Sequence, residues 1–122
     1  MRVVLISCVS KKKERPLAAN ELYDSTWFKY AYEYARCTNA DKIFILSAKY
    51  GLLRPNQVIE PYNLTLNSMS KRQRCDWGKR ILKELARECE LERDFFCILA
   101  GKNYRELLIP SIKFYTIPMK CM

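Results

Sequence analysis

Three short stretches concentrate the side chains able to do chemistry. The first, Ser7-Cys8-Val9-Ser10-Lys11-Lys12-Lys13, sets small residues beside three consecutive lysines. Small residues let backbone N–H groups approach an anion and the lysines supply charge, so a phosphate site is the functional reading. A solvated lysine run is the plain alternative. No glycine-rich phosphate motif accompanies it, which excludes a Walker loop. Cys8 is either a nucleophile favoured by the nearby ammonium groups or a small packed residue at a strand end. The second stretch, Ser47-Ala48-Lys49-Tyr50-Gly51-Leu52-Leu53, suits a ring stacked on Tyr50 with Lys49 near a phosphate or carbonyl. Gly51 there permits the positive φ of a sharp turn. Downstream, Glu60 beside Pro61-Tyr62-Asn63 is a candidate base or stabiliser of a developing cation, or an ordinary exposed loop charge. The third stretch, Ala100-Gly101-Lys102-Asn103-Tyr104, joins a strand to a helix start, where free backbone donors favour anions.

Absent residue types narrow the chemistry further. There is no histidine, which removes Ser-His-Asp and Cys-His catalysis and leaves acid–base work to Asp, Glu, Lys, Tyr or Cys. Cysteines stand at 8, 37, 75, 89, 97 and 121, with no CxxC pair, so zinc is disfavoured and no metal or cofactor is expected. Cys89 and Cys97 fall in helix-like and strand-like patterns, where free Cys packs as a small hydrophobe. No apolar run approaches the ~20 residues that span a bilayer. MRVVLISC is too short for a signal peptide, so a cytoplasmic protein with no membrane contact and no disulfide framework is expected. The formal charge is +9 and the sequence pI about 9.4. That sign favours a polyanion: nucleic acid, DNA above all, or a phosphorylated nucleoside. The plain alternative is that a basic chain is merely soluble.

The elements that must position these residues follow from periodicity. The 122 residues, 49% hydrophobic, suit one domain over 1–122 with a real core. Arg2–Ser7, Lys42–Ser47 and Phe95–Ala100 are short apolar runs that read as strands buried on both faces. Lys113–Ile117 is a fourth candidate. Asp24 or Ser25 caps a helix through Trp27, Phe28, Ala31, Tyr34 and Ala35, which ends near Asn39 and Asp41. Ser68 or Ser70 caps a second, with Trp77, Ile81, Leu85 and Cys89 at four-residue spacing. On it Arg72, Lys79 and Lys83 are candidates for a phosphate-backbone stripe, against the alternative of a solvated face. Asn103 with Glu106 resembles a capping box opening a short helix that Pro110 closes. Ala48–Asn67 shows no clear period and reads as a long functional loop. The alternation predicts a three-layer α/β fold: a mostly parallel, about four-stranded central sheet with helices on both faces. Ligands of such sheets bind beyond the carboxyl ends of the strands, which places all three stretches on one edge.

The segment Ile45-Leu46-Ser47-Ala48-Lys49-Tyr50-Gly51-Leu52-Leu53-Arg54-Pro55, followed by Glu60-Pro61-Tyr62-Asn63-Leu64, resembles the signature of YaaA-like proteins, the peroxide-stress family. It is closer still to a compact, uncharacterised prokaryotic and phage branch. That branch shares Ser7, Cys8 and Lys12, then Pro16, Ala19, Leu22, Tyr23, Ser25 and Phe28, and later Ala100, Gly101 and Tyr104. The resemblance implies DNA binding, protection from oxidative DNA damage, and a core similar to the uracil-DNA glycosylase type. It also exposes two departures. The chain is short for a helix-hairpin-helix element, and at Ile117–Met122 it stops where the compact branch continues into a glycine-containing tail.

The residues and the resemblance together lead to a nucleic-acid-directed protein, with N-glycosidic cleavage of a nucleobase or nucleoside as its reaction. Lys12 and Lys49 would hold a phosphate or the leaving base, Tyr50 or Tyr23 would stack on the base, and Glu60 would orient water or stabilise an oxocarbenium-like state. Ser7, Cys8, Ser25, Ser47, Gly51, Pro61, Tyr62, Gly101, Asn103 and Tyr104 complete the expected ligand contacts. The alternatives are a non-catalytic DNA-binding stress protein using the basic helix, and a module that binds a nucleotide.

Overall fold

The computed structural model describes residues 1–118; Cys121 and the end of the segment compared with the glycine-containing tail lie outside them. The apolar runs form the parallel strands β1 (Arg2–Ser7), β3 (Lys42–Ser47) and β6 (Phe95–Leu99). The central sheet has five strands rather than about four, in the order β4-β3-β1-β6-β7. β7 (Phe114–Thr116) pairs parallel with β6, and the additional strand, β4 (Gly51–Leu53), pairs antiparallel with β3. Ala48–Asn67 is therefore not one loop. It begins as a tight hairpin and then supplies β5 (Val58–Ile59), which forms a separate two-stranded ribbon with β2 (Leu17–Ala18). β2, β4 and β5, of two or three residues each, carry too little pattern to be read as strands, whereas β7 falls within the expected Lys113–Ile117.

β1 has neighbours on both sides because the two crossovers run in opposite directions. The helix α2 (Thr26–Arg36) follows β1 and leads to β3; α3 (Lys71–Glu88) then carries the chain back past β1 to β6. Alternating side chains of β1 consequently enter two cores. Val4 and Ile6 pack with Phe28, Ala31 and Ala35 of α2, and with the short α1 (Ala19–Leu22). Val3 and Leu5 pack with Trp77, Ile81 and Leu85 of α3, and with Leu108 of α4 (Lys102–Leu108). Helices thus cover both faces, and each buried Val, Leu, Ile or Phe among these contributes about 1.5–3 kcal/mol. No helix among the described residues is long and apolar enough to cross a membrane.

The caps are specific. Ser25 accepts the Phe28 N–H at 3.0 Å and opens α2, and Asn39 (φ 56°) turns the chain after it. Ser70, not Ser68, caps α3 in a reciprocal box with Gln73. Asn103 does not cap α4: Gly101 occupies that position, and Asn103 lies within the helix with its side chain bonded to Asn67. Ser25 likewise spends its hydroxyl on the helix rather than on a ligand.

Two glycines differ in what they tolerate. Gly51 has φ 78°, and a Cβ there would overlap a Glu84 carboxylate oxygen and crowd the Arg80 guanidinium. Gly101 has ordinary dihedrals (φ −64°, ψ 165°), and its Cβ position is open space. Gly51→Ala should lower the urea midpoint by the equivalent of about 1–3 kcal/mol, whereas Gly101→Ala should leave it unchanged or slightly raised.

Candidate functional site

β1, β3 and β6 are parallel and in register, so their carboxyl ends, Ser7, Ser47 and Leu99, meet at one edge. The stretch after β1 is laced to the entrance of α2: Lys13 N donates to Leu22 O and Asp24 N to Lys11 O, both at 2.9 Å, with a bridge between Lys12 and Tyr23. This fixes the middle lysine of the three while Lys11 and Lys13 remain exposed. Lys12 Nζ donates to the Ser10 carbonyl at 3.0 Å and sits 4.2 Å from the Tyr62 ring centroid and 5.7 Å from that of Tyr23. Among the described residues it pairs with no carboxylate. Burial pushes its ammonium below the ordinary lysine range, opposed in part by Cys8.

Tyr62 is held by a hydroxyl chain. Tyr50 N–H donates to Ser47 Oγ at 2.9 Å, Ser47 Oγ donates to Tyr62 OH at 2.8 Å, and Tyr62 OH shares a hydrogen bond with Tyr23 OH at 2.7 Å. The Tyr50 ring meets Tyr62 edge to face at 5.5 Å. Desolvation, and then the Cys8 thiol nearby, raise the pKa values of Tyr23, Tyr62 and Tyr104 well above the usual phenol range. These phenols stay neutral, so they remain donors and offer Lys12 an uncharged π face. Cys8 itself is buried, with its Sγ 3.1 Å from Tyr104 OH. Tyr104 is braced from behind by Trp77, ring to ring at 5.4 Å, while Trp77 Nε1 donates to the Ser47 carbonyl at 2.9 Å.

Two adjoining grooves open on this edge. One, about 510 Å³, is lined by Ser10, Lys12, Lys13, Glu14, Pro61, Tyr62 and Asn63. The other, about 250 Å³ and mostly apolar, is lined by Ser7, Cys8, Val9, Trp27, Gly101 and Tyr104. A further concavity of about 310 Å³ lies away from this edge, against Lys42, Arg54 and Glu88. Its charges are already matched: Glu88 pairs with Arg54 at 3.0 Å and Lys42 at 3.2 Å, and both hold its carboxyl below the usual range.

Several expected contacts take other roles. Tyr23 is 1% exposed and packs on Phe28, so its ring has no face left to stack on a base. Ser47, fully buried, spends its hydroxyl within the protein. Lys49 is exposed in the hairpin turn, 5.2 Å from the Tyr50 ring, and does not line the groove with Lys12. Tyr50 is half-buried and donates to the Glu60 carbonyl at 3.4 Å; the Glu60 side chain is exposed. Arg72, Lys79 and Lys83 are exposed along one side of α3. Arg80 is not part of that stripe, because its guanidinium clamps the Lys49 and Tyr50 carbonyls. Among the described residues no cluster of three His, Cys, Asp or Glu side chains is arranged to hold a metal. Glu14 and Trp27 line the site without having been singled out. Glu14 stands in a run of exposed charges, and Trp27 falls in the apolar stripe of α2, where periodicity marks it as core.

Comparison with known proteins places this edge in a family context. A UPF0246 protein of Azoarcus sp. (strain BH72), azo1887, is 41% identical over 58 residues. The match covers 43% of this chain, and the chain spans only about a fifth (22%) of that relative's length. UPF0246 is the YaaA family, so the likeness to YaaA-like proteins stands at that level. The model of a family of unknown function, DUF6884, matches residues 3–122, and the chain belongs to that family.

Proposed function

We propose that the chain is a nucleic-acid-directed protein that receives a nucleoside phosphate, free or within a strand, at the carboxyl edge of its sheet, with the phosphate on Lys12. The observation that carries this reading is the half-buried Lys12 ammonium, held by one carbonyl and the Tyr62 and Tyr23 rings with no counter-anion among the described residues. A cation taken partly out of water and left unneutralised is a receptor for an anion. The +9 charge and the exposed Arg72, Lys79 and Lys83 support a polyanionic source for that phosphate. The strand-end position agrees with where open α/β sheets hold ligands.

The pH dependence has a definite sign. Lys12 must be protonated to bind an anion, and its pKa lies below the ordinary lysine value. Affinity for inorganic phosphate and for nucleotides should therefore fall as pH rises through this lowered value, before ordinary lysines titrate. Lys12→Gln should weaken binding about tenfold or more and abolish that pH dependence. Calorimetric titration across the alkaline range checks both, and a Lys12→Gln protein with unchanged affinity overturns the phosphate assignment.

The catalytic form of this reading is N-glycosidic cleavage, consistent with the uracil-DNA glycosylase type of core that the YaaA-like resemblance implies. It needs a carboxylate to steady an oxocarbenium-like state. Glu60 is the candidate: its backbone is tied to the Tyr50–Tyr62 wall while its carboxylate forms no ion pair or hydrogen bond among the described residues. In a base-release assay on single-stranded DNA and on nucleosides, Glu60→Gln should lose turnover and keep binding. Turnover that survives removes Glu60 from the mechanism. Binding to duplex and single-stranded DNA that weakens steeply with salt, with no base released, favours the DNA-protection reading.

A further inference from the structure

Phe95 departs from the pattern of its strand. β6 is buried from Phe96 to Leu99, yet Phe95 keeps 39% of its surface exposed. Its register partner on β7, Phe114, keeps 46%. On the other side Phe95 pairs with Arg2 of β1, so Arg2, Phe95 and Phe114 form one row across three adjacent strands. Two residues further along, Val4 and Cys97 are buried in the core that α2 covers. Side chains alternate along a strand, so the row lies on that same face, at the edge opposite the carboxyl ends. Parallel sheets ordinarily have both faces covered, and two large rings side by side in the open are an exception.

A cation accompanies each ring. The Arg2 guanidinium lies 5.8 Å from the Phe95 ring centroid, and the Lys113 ammonium 5.4 Å from that of Phe114. Neither forms an ion pair among the described residues. Asp41 is close, but it accepts the Arg2 backbone N–H, at 2.7 Å. Single-stranded nucleic acid answers both features, since each base offers a flat π-face and each unit a phosphate. Stacking a base on an aromatic ring strengthens binding by about five- to 150-fold. A cation over an exposed ring is worth only about two- to fivefold. A base therefore displaces the cation from the ring and leaves it to a phosphate. An acidic peptide would meet the cations but offer the rings no flat partner, and β7 presents only three residues of ladder to an added strand. A second copy would set Arg2 and Lys113 against their like in a chain of charge +9.

We propose that Arg2, Phe95, Phe114 and Lys113 form a stacking platform for single-stranded nucleic acid, DNA or RNA, each ring taking a base and the two cations the adjoining phosphates. The platform goes beyond the reading of the carboxyl edge: it lies at the other end of the sheet and shares no residue with Lys12 and its groove.

Fluorescence anisotropy with short labelled oligo(dT) and oligo(rU), a duplex of equal length and an abasic sugar-phosphate oligomer tests the platform. The full chain should bind the single strands more tightly than the duplex or the abasic oligomer. Phe95→Leu and Phe114→Leu keep apolar bulk and remove the flat face. Each should weaken single-strand binding about fivefold or more, leave the abasic oligomer unchanged and keep the thermal midpoint, while Phe114→Tyr should bind like the unaltered chain. Arg2→Gln combined with Lys113→Gln should lower the salt dependence for every oligomer, the log–log slope falling by about 1–2. Lys12→Gln should leave the ring-dependent part of binding intact, so the two surfaces fail separately. The proposal is overturned if folded Leu variants bind the single strands as tightly as the unaltered chain, or if the abasic oligomer binds as tightly as oligo(dT). It is overturned equally if the single strands do not bind and polyglutamate does, in a manner dependent on Phe95 and Phe114. A dimer that Phe114→Leu converts to monomer, with single-strand binding unchanged, makes the row a self-association face and also overturns it.

Discussion

The carboxyl edge of the sheet is organised by how one fully buried serine is satisfied. Ser47 ends β3 with no access to water, so each of its polar atoms needs a protein partner. Its hydroxyl takes the Tyr50 N–H and gives its proton to Tyr62; its carbonyl takes the Trp77 indole. Those bonds tie a hairpin turn, the segment around Tyr62 and the long helix α3 to a single strand end. Tyr62 then presents its face to Lys12, and Trp77 braces Tyr104 against Cys8. One wall residue of each groove, Tyr62 in the cationic one and Tyr104 in the apolar one, is held through that residue.

The consequence for electrostatics is an ammonium set against neutral groups. The rings of Tyr23 and Tyr62 flank the half-buried Lys12, with the Cys8 thiol nearby. Aromatic faces partly replace the hydration that Lys12 loses, at about 0.5–2 kcal/mol for such a contact. A carboxylate would neutralise it more fully and would also occupy the place of an incoming anion. Elsewhere the protein uses that fuller solution, as where Glu88 joins Lys42 and Arg54. The two arrangements stand side by side in one small domain, one cation paired with a carboxylate and the other set against aromatic rings.

Much of this was legible in the sequence, for physical reasons that also explain the gaps. Arg2–Ser7, Lys42–Ser47 and Phe95–Leu99 announce themselves because a strand buried on both faces must be apolar throughout. Trp77, Ile81, Leu85 and Cys89 repeat on the period of a helix and are all buried. Gly51 was identified by the one property its φ of 78° requires. β2, β4 and β5 were hidden, since pairing rather than pattern defines strands so short. Tyr23 looked like a stacking platform, but nothing local to Leu22-Tyr23-Asp24 reveals that Phe28 and Tyr62 close over it. Trp27 was read as core, and for most of its ring that is correct. Its ring also lines the smaller groove, with residues that follow β1 and β6 and that lie far from it in sequence.

The position of β1 has a bearing on how the domain comes into being. β1 pairs with strands distant in sequence, from Lys42 on one side and Phe95 on the other. Closing loops of that length before any pairing rewards it slows the assembly of the sheet. Both grooves are likewise lined by segments far apart in sequence, Ser7 to Val9 with Gly101 and Tyr104 in one and Ser10 to Glu14 with Pro61 to Asn63 in the other, so neither exists before those segments meet. A ligand bound in either would deepen the native well without assisting the chain before it has folded.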